Sequence, residues 1–260
     1  MGILNLTPDS FSDGNRYATL ADAVAAAQQM VADGADIIDV GGESTRPDAA
    51  PVSAAEETKR VVPVIERLAG LIPVPISIDT WKASVAAAAL RAGAEIVNDI
   101  SAMTFDPLMV ETVAGTDAGL VLMHTRGTPA AMQKDTAYAD LLAEIADFLQ
   151  RAIDRAVAAG IARERLVVDP GIGFGKSVTG NLEIIRRLQE LTVLQRPLLI
   201  GTSRKSFIGA ALGREVTDRL FGTAATVAVA MMNGAAIFRV HDVRAMRDTV
   251  DMVRAITFST

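Results

Sequence analysis

Eight short apolar runs in this chain each end in a polar group that apolar packing does not favour. In chain order these groups are Asn5, Asp39, Asp79, Asn98, His124, Asp169, the run Ser203-Arg204-Lys205-Ser206, and the pair Arg239 and His241. Acids, amides and bases together are what a polar ligand needs. Each alone has an ordinary explanation. An Asp or Asn at a strand end can cap a helix or make a turn. A His on an apolar strand can be a hydrogen-bonded core residue, and a Lys after a strand can face solvent. Gathered on one rim and unpaired they would be costly to bury. A polar ligand accounts for them economically.

The stretch VVDPGIGFGKS, Val167 to Ser177, imitates two nucleotide motifs and satisfies neither. A P-loop requires Gly-x-x-x-x-Gly-Lys-Ser. Its first Gly would fall on Pro170, which has no N–H for a phosphate. Gly-x-Gly-x-x-Gly fails because its last position is Lys176. Asp169, at the head of the stretch, is therefore its chemical group. GTSRK lacks the final Gly of a Gly-x-Ser-x-Gly nucleophile elbow. With no Cys, thiolate nucleophiles, thiolate metal sites and disulfides are excluded, which fits a cytoplasmic protein.

The elements that must position these groups repeat one form: a helix ends near Gly, then a short strand runs into a polar residue. ADGADIIDVGG, RAGAEIVNDIS, DAGLVLMH and NGAAIFRVHDV follow it. Eight strands are expected, Gly2–Leu6, Asp36–Gly41, Pro75–Thr80, Ile96–Ser101, Leu120–His124, Leu166–Pro170, Leu198–Ser203 and Ala236–His241, each followed by a helical pattern. They read as apolar throughout, as parallel strands covered by helices do. Eight βα units in 260 residues predict an α/β fold, a single-domain (β/α)₈ TIM barrel with its chemistry at the C-terminal strand ends. A doubly wound open sheet would show a Gly-rich turn after its first strand, and NLTPDSFSDG is not one.

Two long polar loops, TPDSFSDGNRY and GESTRPDAAPVS, would overhang that rim. Arg46, Arg239, His241 and Lys205 are suited to hold an anion such as diphosphate. Arg239 and His241 are two apart and share a strand face. The net charge of −6 gives no general attraction for nucleic acid. Leu220 to Phe238 carries no charge, but Asn233-Gly234 interrupts it, so a buried helix followed by a strand is expected and not a membrane span.

The ordered motifs GILNLTPDSFSDG, IIDVGGESTRP, ISIDTWK, IVNDIS, LMHTRGTP, VVDPGIGFGK, GTSRKSFIG and RVHDV cover essentially the whole chain, and with them it resembles the dihydropteroate synthase family. The resemblance implies a transferase that condenses 6-hydroxymethyl-7,8-dihydropterin diphosphate with para-aminobenzoate, with Mg²⁺ as cofactor. Carried over by position, Asp79, Asn98, Met123, Asp169, Phe174 and Lys205 would hold the pterin. Asn5, Arg46, Arg239 and His241 would hold diphosphate, Asn5 also meeting Mg²⁺. Thr45, Pro47, Phe174, Lys205 and Ser206 would shape the aminobenzoate site, and Asp9, Phe11 and Asp13 would lie on a mobile loop. The groups implied in catalysis are Asp79, Lys205, Arg239 and His241.

The resemblance further implies sulfonamides as competing ligands and a homodimer, for which the apolar helix Thr223–Met232 is the candidate face. Members commonly carry a segment before the first strand, often a hairpin closing the barrel floor. Here Met1 abuts that strand, so one barrel domain over 1–260 without the hairpin is expected. Gly180 stands where the family commonly has His, and Asn15 where it commonly has Gly. A methyltransferase passing a methyl group from methyltetrahydrofolate to a corrinoid would share the pterin pocket but has no need of STRP, SRKS and the RVH pair. A non-catalytic pterin-binding barrel would be expected to lose the charged rim that this chain keeps. On this reading Asp169→Ala abolishes pterin binding, whereas Arg239→Ala chiefly impairs diphosphate handling.

Overall fold

A computed structural model describes residues 1–6, 19–44, 51–129 and 131–258. One parallel sheet takes its eight strands in sequence order: β1 (Gly2–Asn5), β2 (Ile38–Gly41), β3 (Ile76–Asp79), β4 (Ile96–Asp99), β5 (Gly119–Met123), β6 (Leu166–Asp169), β7 (Leu198–Ile200) and β8 (Ala235–Phe238). The chain just past β8 meets β1. Ile3 donates its N–H to the Val240 carbonyl at 3.0 Å, and Val240 donates to the Met1 carbonyl at 2.9 Å. The sheet therefore curls round on itself into the TIM-barrel arrangement that the eight βα units predict.

The helices between and after the strands are α1 (Leu20–Ala32), α2 (Ala54–Ala69), α3 (Ala83–Ala92), α4 (Met109–Ala114), α5 (Leu141–Ala158), α6 (Val178–Arg186), α7 (Ser206–Leu212), α8 (Leu220–Met232) and α9 (Val243–Phe258). Several start on a side-chain cap that satisfies an orphan N–H. Thr19 and Asp22 form a capping box on α1, while Ser53, Asp140 and Ser177 accept N–H groups of α2, α5 and α6. The uncharged segment 220–238 divides into α8 and β8. Among the described residues no helix is long and apolar enough to cross a membrane.

Two expectations need correction. The strands are not apolar on both faces. Leu4, Ile38, Val40, Ile78, Val97, Leu120, Leu122, Val168 and Ile200 belong to one buried apolar cluster with the helices. By the two-residue period of a strand, Asp39, Ser77, Asp79, Asn98 and Asp169 take the opposite, inner face. The sequence hides this alternation because each strand is so short that its inner face shows only one or two residues. The last two strands also stop earlier than expected, β7 at Ile200 and β8 at Phe238. Arg239 still donates its N–H to the Ile200 carbonyl at 2.9 Å. Val240 still bridges to β1, and Ser203, Lys205 and His241 follow the strands instead of ending them.

Candidate active site

The inner faces converge on one guanidinium. Arg239 donates from Nε to Asp39 Oδ2 and from Nη2 to Asp79 Oδ2, each at 2.5 Å. Asn98 Nδ2 donates to the same Asp39 oxygen at 3.2 Å. Asp39 is fully buried and Asp79 nearly so. Burial opposes the Arg239 charge, but Asp39 and Asp79 outweigh it and hold the pKa above the ordinary arginine value. One cation between two acids leaves a carboxylate uncompensated. Burial, with Arg239 opposing and Asp39 adding to it, pushes Asp79 up to about 7. Asp39 Oδ1 and Ser77 Oγ, on paired positions of β2 and β3, find no hydrogen-bond partner among the described residues.

Asp169 closes the opposite side. Its Oδ1 accepts the Gly171 N–H at 2.7 Å. Burial raises its pKa, against the pull of Lys205, the Gly171 N–H, Lys176 and Arg239. Lys205 Nζ donates to the Ile172 carbonyl and stands 4.7 Å from the centre of the Phe174 ring. Burial lowers Lys205 to about 8, while the Asp169 charge opposes the shift. Met123, almost fully buried, pairs in register with Asp169 across β5 and β6.

Two glycines place several of these groups beside one another. A Cβ on Gly201 would lie 3.8 Å from Arg239 Cβ and 3.9 Å from Lys205 Nζ. A Cβ on Gly41 would lie 3.5 Å from both Asn5 Oδ1 and Asp79 Cβ. Asn5, Asp79, Arg239 and Lys205 thus follow one another round the mouth, with Asp169 next to Lys205. His241 is nearby, its Nδ1 2.9 Å from Ser203 Oγ, and its backbone N–H donates to that oxygen at 3.1 Å. Ser206 opens α7 beside Lys205. Arg204, from the same basic run, turns away and pairs with Asp242 through Nε at 2.9 Å and through Nη2.

His124 does not join this group. Its Nδ1 lies 2.8 Å from Lys176 Nζ, and its ring meets Phe148 edge-on at 4.9 Å. Burial and the neighbouring Lys176 lower its pKa to about 2, so the imidazole is neutral. Asp9, Phe11, Asp13, Thr45, Arg46 and Pro47 lie outside the described residues. The sequence reading noticed Asp39 at a strand end but gave it no part. Its inward parity with Gly41, one strand from Asp79, is the signal that it shares the site.

The loop after Asp169 runs through three left-handed glycines. Gly171, Gly173 and Gly175 have φ of 70°, 83° and 66°, a backbone region that L-residues rarely enter. A Cβ on Gly171 would stand 1.9 Å from the His124 carbonyl oxygen. Gly171 therefore permits a close crossing of the β5 loop.

Three acids, two amides and two cations at the C-terminal strand ends of a parallel barrel define a barrel enzyme with a polar, hydrogen-bonding site. The family described as pterin binding enzyme matches residues 1–241. A dihydropteroate synthase of Synechocystis is 48% identical over 257 residues, 98% of this chain and 89% of that protein. The chain belongs to the pterin binding enzyme family and, within it, to the dihydropteroate synthases. A Yersinia pestis dihydropteroate synthase solved with a sulfonamide drug superposes with a TM-score of 0.96 at 46% identity, covering 100% of this chain and 94% of that one. A Xanthomonas albilineans dihydropteroate synthase solved with 4-aminobenzoic acid gives 0.93 at 42% identity, over 100% and 93% of the two chains.

Proposed function

We propose that this protein condenses 6-hydroxymethyl-7,8-dihydropterin diphosphate with para-aminobenzoate, yielding 7,8-dihydropteroate and diphosphate. The observation that carries the reading is the gathering of Asp79, Asn98, Asp169, Lys205 and Arg239 at the C-terminal strand ends, with Arg239 on Asp79 and Lys205 beside Arg239 across Gly201. A pterin edge offers a ring N–H beside an amino group, and one carboxylate accepts both at once. Asp169 is that acceptor. Asn98 can donate and accept, and Lys205 donates to a ring oxygen or nitrogen. Asp39 Oδ1, fully buried, finds no hydrogen-bond partner among the described residues.

In the reaction the bond between the methylene carbon and the diphosphate oxygen breaks, and its electron pair leaves on diphosphate. The pterin ring spreads the resulting positive charge, which the Asp79 carboxylate favours. The aminobenzoate nitrogen then closes the C–N bond and passes its proton to the released diphosphate or to water. It needs positioning more than activation, because the carbon is already cationic. Phe174 and Ser206 border its approach, with Thr45 and Pro47 assigned there by family position. Arg46 and Arg239 are the cations for the leaving group, and the His241 imidazole is a hydrogen-bonding partner for it.

Mg²⁺ binds few protein oxygens and keeps waters and substrate phosphates as its other ligands. The described residues hold no cluster of three or more His, Asp or Glu suited to a metal. The Asn5 side-chain oxygen, facing Gly41 at the mouth, fits an ion bound chiefly by diphosphate. When bound, the ion neutralises charge on the leaving diphosphate. We also propose a homodimer through α8 and α9, whose apolar side chains Phe221, Met232, Met252 and Ile256 are 86%, 72%, 62% and 73% exposed.

The test is diphosphate release on mixing both substrates with Mg²⁺, repeated with a sulfonamide present. Release that depends on both substrates and falls with sulfonamide supports the reading. Pterin binding without release makes the protein a non-catalytic binder.

A further inference from the structure

Lys176, the residue that stands in the last position of the failed Gly-x-Gly-x-x-Gly pattern, is 3% exposed. Its Nζ lies 2.8 Å from His124 Nδ1, 2.9 Å from the Phe174 carbonyl oxygen and 3.3 Å from the His124 carbonyl oxygen. Among the described residues it makes no ion pair. With Lys176 charged, Nζ only donates, which makes Nδ1 of the neutral imidazole the acceptor and puts the ring proton on Nε2. A buried lysine held only by neutral acceptors is costly. Burial accordingly lowers its pKa well below the ordinary lysine value, against the pull of Asp169.

The three acceptors come from two loops. His124 follows β5, and Phe174 belongs to the glycine loop after β6. Gly171 crosses directly over the His124 carbonyl, and Lys205 holds the same loop from the mouth side through the Ile172 carbonyl. The loop is thus gripped by one lysine from behind and one from the site. Gln133 to the Gly173 carbonyl, Tyr138 to the Gly175 carbonyl and Gly173 to Asn181 Oδ1 complete the frame at 2.8, 2.8 and 2.6 Å.

We propose that Lys176, held by His124, is a positioning residue that through the Phe174 carbonyl sets the Phe174 ring beside Lys205 and so builds the wall against which the arylamine lies. The inference rests on the proposed condensation. Lys176 touches no reacting atom. Its role is to fix the backbone of residue 174 so that the ring needs no reordering when substrate arrives.

The experiment compares Lys176→Met, His124→Leu and His124→Asn with the unaltered protein in the condensation assay, with melting temperatures alongside. Asn keeps an acceptor near the place of Nδ1; Leu removes it. Lys176→Met and His124→Leu are expected to raise the aminobenzoate KM about tenfold while kcat changes far less, and His124→Asn to stay near the unaltered value. Lys176→Met combined with His124→Leu should be no worse than Lys176→Met alone, because the contact is already lost. An unaltered KM in folded Lys176→Met overturns the inference, as does equal behaviour of His124→Leu and His124→Asn. If Lys176→Met does not fold, the two His124 variants decide the matter. An unaltered protein that releases no diphosphate sinks the functional reading, and this inference falls with it; an active one with indifferent variants sinks the inference alone.

Discussion

The Asp39–Arg239–Asp79 triad binds two roles into one residue. The sequence reading placed Arg239 with the cations for diphosphate, yet its guanidinium sits on two acids. Removing it strands those acids, so Arg239→Met is expected to destabilise by about 3–5 kcal/mol near neutral pH as well as to slow turnover. Asp79 has its pKa raised from 3.8 to about 7, so between those values the folded state binds more protons than the unfolded state. Its contribution to stability therefore falls as pH rises through that window. Urea unfolding should show Asp79→Asn gaining on the unaltered protein from pH 4 to 7, and the Arg239→Met deficit shrinking at pH 5. Lys205, lowered to about 8, loses its charge as pH rises through that value. The profile of kcat/KM, which reports the free enzyme, should have an alkaline limb near pH 8 that Lys205→Arg moves upward.

At the scale of elements, the loop after β6 depends on handedness and on close passage, and two glycines separate these effects. Gly213 caps α7 at φ 65°, and a Cβ there meets nothing within 4 Å. Gly213→Ala should cost about 1–2 kcal/mol, the strain of the left-handed backbone alone. Gly171 has nearly the same φ, but its Cβ would overlap the His124 carbonyl. Gly171→Ala should cost clearly more, beyond about 3 kcal/mol, and impair the site because Asp169 and Phe174 flank the loop. Urea midpoints of the two variants measure the difference; equal losses would mean that the crossing relaxes freely. Strand existence and order were legible from apolar runs that end in polar groups. Strand ends at β7 and β8 were not, because Ser203 and His241 read as continuations while their backbone had already left the ladder.

Taken whole, the barrel leaves an apolar face on α8 and α9 uncovered in the single chain. Phe221→Asp combined with Met232→Asp is expected to shift the protein from dimer to monomer in sedimentation while sparing the fold, since both side chains are exposed. A monomeric unaltered protein would remove that proposal. The sequence by itself determined the eightfold repeat, the parallel sheet and the residues on its rim. Short apolar runs, glycines at helix ends and polar residues at strand ends act locally and are written in order along the chain. Only the tertiary structure decided which of those residues meet. Asp39 and Arg239 are 200 positions apart, and their ion pair exists because the sheet closes on itself. His124 and Lys176 join each other and not the site, because the side on which a side chain falls depends on where the backbone turns after each strand, which no local pattern records.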